Sequence, residues 1–331
     1  MILRALRELA RAFAMVAAAC AAAVALAAQG GRFSDRLDIL THFTPVYLAV
    51  CLASTVVWIL TGRYGRTTPM LALIGGLSAL TLMAPELTAA ATGTGGKASG
   101  ETLRVLQFNS WGLNRDPDGT ARWILETDPD IVVLVEGARN SEAVVKALAA
   151  RYPSRTTCAG TRPCSTMILS KRAPLARDGL SGGPATDQLS GAWATFGSPD
   201  GPFTVVAVHY TWPIPAGPQQ AQARRLAKVL DRFPKDRLIL SGDFNSTPWS
   251  FSMRRQDRMF GIERRTRALA SWPTSYEVTQ FDEAHYHTFP FPFLPIDHVY
   301  AGKGWRTVSV RRGPRLGSDH YPVLVTLAPG R

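Results

Sequence analysis

The sequence predicts an α/β sandwich, two packed β-sheets with helices outside, preceded by a membrane region of about three helices. Three observations carry that prediction. The first hundred residues are mostly apolar and hold only 8 Lys+Arg and 4 Asp+Glu. From residue 101 onward, many short apolar runs alternate with a few amphipathic stretches, a pattern of many strands and few helices. Those apolar runs end, one after another, in Asn, Glu, His or Asp.

The apolar head contains three stretches, near 12–28, 39–61 and 68–90. Each is close to the roughly 20 residues that cross a bilayer. Pro85 and Glu86 interrupt the third near its end. Arg4, Arg7 and Arg11 precede the first, and "ALAA" at 25–28 resembles a signal-peptide cleavage site, so the first stretch reads either as a span or as a cleaved leader. With those arginines inside, three crossings place the body outside the cytoplasm. Cleavage of the first stretch followed by two crossings returns the body to the same side. Arg63 and Arg66, between the second and third stretches, agree with the positive-inside rule. The expected location is the cell (inner) membrane, multi-pass, with the body on the periplasmic or extracellular side. Residues 92–102, rich in Gly, Ser and Thr, read as a flexible linker between a membrane region at 1–91 and a body at 103–331.

The chain carries a net charge of +12, of which +8 lies in the body. That suits anionic partners, whether nucleic acid, phosphate esters or lipid headgroups, without choosing among them. Cys20 and Cys51 lie in the apolar stretches as packing residues. Cys158 and Cys164, in "CAGTRPC", either close a small disulfide loop or stay as separate thiols. No further Cys or nearby His completes a metal site around them.

In the body, "LRVLQF" (103–108), "IVVLV" (131–135), "STMILS" (165–170), "GAWATF" (191–196) and "FTVVAVH" (203–209) read as strands. "GSPDG" between the last two is a hairpin signal. "LILS" (238–241), "DHVYAG" (297–302) and "YPVLVTL" (321–327) complete the strands, and helices are expected near 118–127, 142–150 and 219–233.

The ends of these strands carry the chemistry. "QFNSW" delivers Asn109, "IVVLVEG" ends in Glu136, and "VVAVHY" ends in His209. "LILSGDFN" gives Asp243 and Asn245, "PIDHVY" gives Asp297, and "GSDHYP" gives Asp319 and His320. An ionised group after an apolar strand must reach water, a partner or a metal, and so many at separate strand ends imply one shared rim. Glu136 with Asp319, helped by the Asn109 amide, makes a hard all-oxygen set suited to Mg²⁺, with Mn²⁺ as a substitute, and unlike a zinc site. Two histidines and a carboxylate that orients one of them supply proton transfer and phosphate contacts. Metal, imidazole and amide together describe phosphoester or pyrophosphate hydrolysis by water.

The set "QFNSWG", "VEG", "VHY", "SGDFNSTP", "IDHVY" and "SDHYPV", in this order over about 103–328, resembles the endonuclease/exonuclease/phosphatase (DNase I-like) superfamily. The resemblance implies a four-layer α/β sandwich with a divalent metal, usually Mg²⁺, at the sheet rim. It implies Glu136 as the main metal ligand with Asn109 beside it, and Asp319 as a further ligand. It implies that His320 contacts the scissile phosphate, with its ring held by Asp297, and that His209 is the second imidazole. Asp243 would activate water and Asn245 would hold a phosphate oxygen; family members differ over whether Asp243 or a histidine is the base. The membrane spans resemble a bacterial membrane-anchored branch linked to glycopeptide resistance and polyprenyl pyrophosphate turnover. This implies a membrane-tethered hydrolase of a lipid-linked phosphate or pyrophosphate, with the bilayer as its partner. An extracytoplasmic endonuclease or other phosphodiesterase, with nucleic acid as substrate, is the rival. A catalytically silent sensor or scaffold is the third reading, against which the complete polar set argues.

Other residues invite a role and are expected to be structural. His298 follows Asp297 on the opposite strand face, His42 lies near a span end, and His285 and His287 lie in a surface loop. "RRQDRMFGIERRTR" (254–267) holds six Arg, which reads either as a grip for pyrophosphate, headgroups or nucleic acid or as a solvated helix face. "HTFPFPFLP" (287–295) alternates Phe289, Phe291 and Phe293 with proline, so an extended chain places the three rings on one side, as an apolar wall or as core.

Overall fold

The computed structural model describes residues 1–92, 101–158, 166–180, 189–274, 277–279, 285–287 and 291–330. The chain forms two compact units, Met1–Ala91 with Thr247–Arg254, and Thr92–Ser246 with Arg255–Arg331.

The first unit is helical: α1 (Ile2–Gln29), α2 (Asp35–Thr41), α3 (Thr44–Leu60) and α4 (Thr67–Thr92). Among the described residues, two helices are long and apolar enough to cross a membrane, or three if the bent pair α2 and α3 counts as one span. The second expected span is therefore broken: α2 and α3 meet at 54°, with Pro45 in the first turn of α3. Proline has no N–H to continue the ladder from α2, which makes the break local and sharp. The third runs through Pro85 instead of stopping there. Small residues let the helices approach. Ala14, Ala18, Ala21, Ala22, Ala25 and Ala28 form the buried seam of α1, and a Cβ on Gly75 of α4 would lie 2.8 Å from the Ala22 Cα. The "ALAA" stretch is thus part of a packed helix, and Ser78 donates to the Ala25 carbonyl at 2.9 Å.

The second unit runs β1 (Leu103–Asn109), α5 (Pro117–Thr127), β2 (Ile131–Val135), α6 (Glu142–Leu148), β3 (Ser154–Thr157), β4 (Met167–Ser170), β5 (Ala176–Leu180), β6 (Ser190–Phe196), β7 (Phe203–His209), α7 (Ala216–Leu230) and β8 (Leu238–Asp243). It continues with α8 (Phe251–Phe260), whose first turn belongs to the helical unit, then β9 (Glu263–Arg264), β10 (Glu277–Thr279), β11 (His285–His287), β12 (Asp297–Ala301), β13 (Trp305–Arg312) and β14 (Val323–Pro329). Two six-stranded mixed sheets result, ordered β13-β14-β1-β2-β4-β3 and β5-β6-β7-β8-β12-β9. β1 and β2 are parallel, as are β7 and β8, and the other pairings are antiparallel. His285 and His287 lie in an antiparallel ribbon with β10, a strand where the sequence suggested a loop.

Strand alternation explains the layers. Val105, Ile131, Val133, Val205, Ala207, Ile239, Val299, Val323 and Val325 form one buried cluster between the sheets. Their neighbours Leu106, Phe108, Val132, Leu134 and Leu324 point the other way, against Ala121 and Ile124 of α5 and Val144 and Leu148 of α6. On the second sheet, α7 buries Ala223, Leu226 and Leu230. The second unit is therefore an α/β sandwich, helix–sheet–sheet–helix. Cys158 is disulfide-bonded, while Cys164, the expected partner, lies outside the described residues.

Candidate active site

The polar strand ends lie at one end of the inner faces because each continues the inward alternation by one more step. In β1 the inward series is Leu103, Val105, Gln107, Asn109; in β7 it is Val205, Ala207, His209. In β8 it is Ile239, Ser241, Asp243, and in β12 it begins with Asp297 and continues to Val299. Register then aligns the groups across strands: Asp243 sits opposite Asp297 on one side and His209 on the other. Gly242 permits the tight β7–β8 approach, since a Cβ there would meet the Val208 carbonyl oxygen at 2.0 Å. Glu136 and Asn245, both just past strand ends, hold left-handed φ values of 56° and 48°. Non-glycine residues seldom adopt that region, so both of these turns carry local backbone strain.

The side chains meet as the strand ends predict. Asn109 donates through its amide nitrogen to Glu136 and to Asp243 Oδ2, both at 3.0 Å, while its oxygen accepts from the Trp111 N–H. In this arrangement Asn109 bridges two carboxylates, and the oxygen expected to ligate a metal is engaged by the backbone. His209 Nε2 lies 3.8 Å from both Glu136 and Asp243. His320 pairs through Nδ1 with Asp297 Oδ2 at 2.8 Å and places Nε2 3.7 Å from Asp243. Asn245 closes the turn, its N–H donating to Asp243 Oδ1 at 2.8 Å and its side chain to the Tyr210 carbonyl at 2.9 Å.

Asp319 is the exception to this mutual satisfaction. Its Oδ2 accepts from the Trp272 indole at 3.3 Å, but its buried Oδ1 has no hydrogen-bond partner among the described residues. A buried carboxylate oxygen left unpaired is costly, and the donor chemistry of this one fits a hard cation. Asp243, Asp297 and His320 also bring ligand atoms within 4.8 Å of one another. The Asp297–His320 hydrogen bond engages Asp297 Oδ2 and His320 Nδ1, and Glu136 lies near enough to Asp319 for its charge to bear on that carboxyl.

Electrostatics separates the roles. Burial pushes the Asp243 carboxyl up to about 6, Asp297 adding to the rise while His320, His209 and Asn109 oppose it. Burial likewise raises Asp319, and the Glu136 charge adds to that. Burial disfavours charge on His320, yet Asp297, Asp319 and Asp243 together hold its imidazole well above the ordinary value. Burial also works against ionised Asp297, but the charge and hydrogen bond of His320, with Ser271 and Gln107, keep its carboxyl below the ordinary value.

The structure adds residues that the motifs did not single out. Gln107, fully buried, donates to Asp297 Oδ1 at 3.2 Å and accepts from Ser241 at 3.1 Å. Its signal was present: a polar residue at an inward position of an apolar strand. Trp272 is fixed by a bridge to Leu294 and packs against Phe293 at 6.4 Å. His298 faces away, its ring bonded to Thr266 and to the Ser246 carbonyl, and burial with nearby Arg264 brings it down to about 3. The arginine run is turned inward in part: Arg264 pairs with Asp257 at 2.9 Å, and Arg265 donates to the carbonyls of Ala301, Gly302 and Trp305.

Among solved structures, D. rerio TDP2 complexed with a single-strand DNA product is 15% identical and gives a TM-score of 0.54, over 69% of this chain and 100% of that one. An endonuclease/exonuclease/phosphatase from Beutenbergia cavernae DSM 12333 is 20% identical with a TM-score of 0.51, over 70% of this chain and 72% of that one. Sphingomyelinase C from Streptomyces griseocarneus is 18% identical with a TM-score of 0.50, over 69% and 99%. These likenesses establish a shared fold. No curated protein matches the sequence. Residues 106–320, most of the chain, match the model of the Endonuclease/Exonuclease/phosphatase family. Together with the rim geometry, this makes the chain a member of the endonuclease/exonuclease/phosphatase family.

Proposed function

We propose that the protein is a membrane-anchored, divalent-metal-dependent phosphohydrolase acting on a lipid-linked phosphate or pyrophosphate outside the cytoplasm. The observation that carries the metal-dependent reaction is the unpaired, buried Asp319 oxygen beside Glu136 and the Asp297–His320 pair. Glu136 and Asp319 would hold Mg²⁺, or Mn²⁺ in its place; once bound, the ion supplies charge to polarise a phosphoryl oxygen. Asp243 accepts the proton of the attacking water, a role suited to a carboxyl whose affinity for protons burial has raised. The charged His320, held by Asp297, presents its Nε2 proton to a phosphoryl or leaving-group oxygen. His209 and the remaining N–H of Asn245 orient the phosphate. The new P–O bond forms from water as the bond to the leaving group breaks.

The lipid reading rests on the aromatic segment beside the site. Phe291 is 60% exposed, and Phe293 packs on Trp272, which itself donates to Asp319; Phe289 lies outside the described residues. Moving a chain from the bilayer into water costs about 0.8 kcal/mol per CH₂, which gives an apolar receiving surface its value. Sphingomyelinase C, by its name an enzyme of a phospholipid, shares the fold. The rival reading is a nuclease, because TDP2 was crystallised with DNA. The inward Arg264 and Arg265 remove part of the basic run that would grip a nucleic-acid backbone.

A hydrolysis panel on the detergent-solubilised chain, read as phosphate release from polyprenyl pyrophosphate, a short soluble analogue and phosphoinositide and as strand cleavage of DNA, tests the assignment. Replacing Phe291 and Phe293 with Ser should reduce hydrolysis of the long-chain pyrophosphate far more than that of the short analogue. Preference of the wild type for DNA would establish the nuclease instead. The side of the membrane turns on the α2–α3 break, since three crossings place the body outside and two, with α1 retained, keep it inside. A reporter fused after residue 100 should be active on the outer face.

A further inference from the structure

The helical unit directs its buried polar groups at one segment, Thr247–Arg254, which follows the turn carrying Asp243 and Asn245. Asp38, 3% exposed, accepts from the Phe251 N–H through Oδ1 at 2.8 Å and from the Ser252 N–H through Oδ2 at 2.7 Å. It thereby caps the first turn of α8 from a distant part of the sequence, satisfying N–H groups that a helix start leaves without partners. His42 Nδ1 accepts from the Thr247 N–H at 3.2 Å and lies 3.0 Å from the Thr247 hydroxyl. Trp249 donates its indole N–H to the Thr41 carbonyl at 2.9 Å, and its ring is buried with Ala28, Leu82 and Met83. Arg254 donates to the Leu82 carbonyl at 2.6 Å. The break between α2 and α3 falls where Thr41 and His42 make these bonds.

An anchor that served only to tether would need none of this, because polar side chains in membrane helices are costly unless partnered. Immediately upstream, the chain is held within the other unit. Ser246 donates to Gln219 Oε1 at 2.9 Å, and its carbonyl lies 3.0 Å from His298 Nε2. The single peptide joining Ser246 to Thr247 therefore connects two separately fixed segments, and releasing one alters the restraint on the other.

We infer that Asp38 and His42 are positioning residues for the Asp243–Ser246 turn, acting through Thr247–Arg254. The helices then set the geometry of the site as well as tethering it. The catalytic part of this inference rests on the proposed hydrolase; the structural part does not.

Hydrogen exchange and kinetics on the full chain in nanodiscs test both parts, with Asp38→Ala, Asp38→Asn and His42→Ala. Asp38→Ala should expose the Phe251 and Ser252 amides and also speed exchange at Phe244 and Asn245, by about threefold or more. Turnover should fall about fivefold with KM nearly unchanged, and Asp38→Asn, which keeps one acceptor oxygen, should recover part of it. Faster exchange confined to Phe251 and Ser252, with wild-type turnover, would overturn the inference. If the wild type hydrolyses no phosphate ester, the hydrolase reading fails, and the exchange at Phe244 and Asn245 alone decides: faster supports the positioning link, unchanged defeats it.

Discussion

The helical unit and the rim of the sandwich both bury aspartate and histidine, but they finish them differently. In the helical unit, both Asp38 oxygens accept from backbone N–H groups and His42 meets Thr247, so these hydrogen bonds end on neutral groups. At the rim, acids face acids: Asp243 sits between Asp297 and His209 in register, and Asp319 keeps a buried oxygen with no partner among the described residues. Folding alone gains little from such crowding, because like charges and unpaired oxygens both cost stability. The comparison separates polar groups whose hydrogen bonds hold a structure from polar groups crowded together at a cost to it.

The first way to break that distinction is to remove the rim groups assigned to proton transfer. His320→Ala and Asp243→Asn should each lower turnover by about 10²–10⁴-fold at saturating metal. Circular dichroism should show the fold retained, with Asp243→Asn relieving acid crowding and His320→Ala lowering the melting temperature because it leaves Asp297 without its charged partner. Wild-type rates for both variants would remove the rim from the chemistry.

A smaller effect is expected at Gln107, which links Ser241 to Asp297. Gln107→Leu should destabilise the domain by about 1–3 kcal/mol, because it removes two buried hydrogen bonds, to Asp297 and from Ser241. It should also slow turnover by about tenfold or more as the Asp297–His320 pair loses its support. Denaturant melts and steady-state rates check the two parts separately.

The smallest catalytic effect belongs to His298, buried within the same sheet as Asp297 but on its other face. His298→Phe should cost stability of about 1–3 kcal/mol through the lost bonds to Thr266 and Ser246, with turnover within about twofold of wild type. A loss of activity comparable to that of His320→Ala would erase the contrast between the two faces.

Much of this was legible in the sequence because the inner strands alternate strictly. Runs such as IVVLV and FTVVAVH announce buried strands, and the polar residue that ends each one lies on the inward side or just beyond it. The edges were not legible. β5, "ARDGL", and β13, "WRTVSVRR", are largely exposed or half-buried, so burial imposed no apolar pattern on them. Nor did any local signal mark Thr247–Arg254 as part of the helical unit, because Asp38 and His42 reach it across more than 200 residues. The break in the second span was written in Pro45, yet hydropathy averages over it. Gln107 was readable in principle, as the one amide interrupting the inward series of β1 before Asn109.

The most direct test of the central claim is a metal titration of phosphate release with the wild type, Glu136→Gln and Asp319→Asn. The wild type should be silent in EDTA and recover with Mg²⁺ or Mn²⁺. Both variants should need about 10–100-fold more metal for half-maximal rate, with melting temperatures at or above that of the wild type in the absence of metal. Activity of the wild type in EDTA, or unchanged metal dependence in both variants, would contradict the reading of Asp319 and Glu136 as the cation seat.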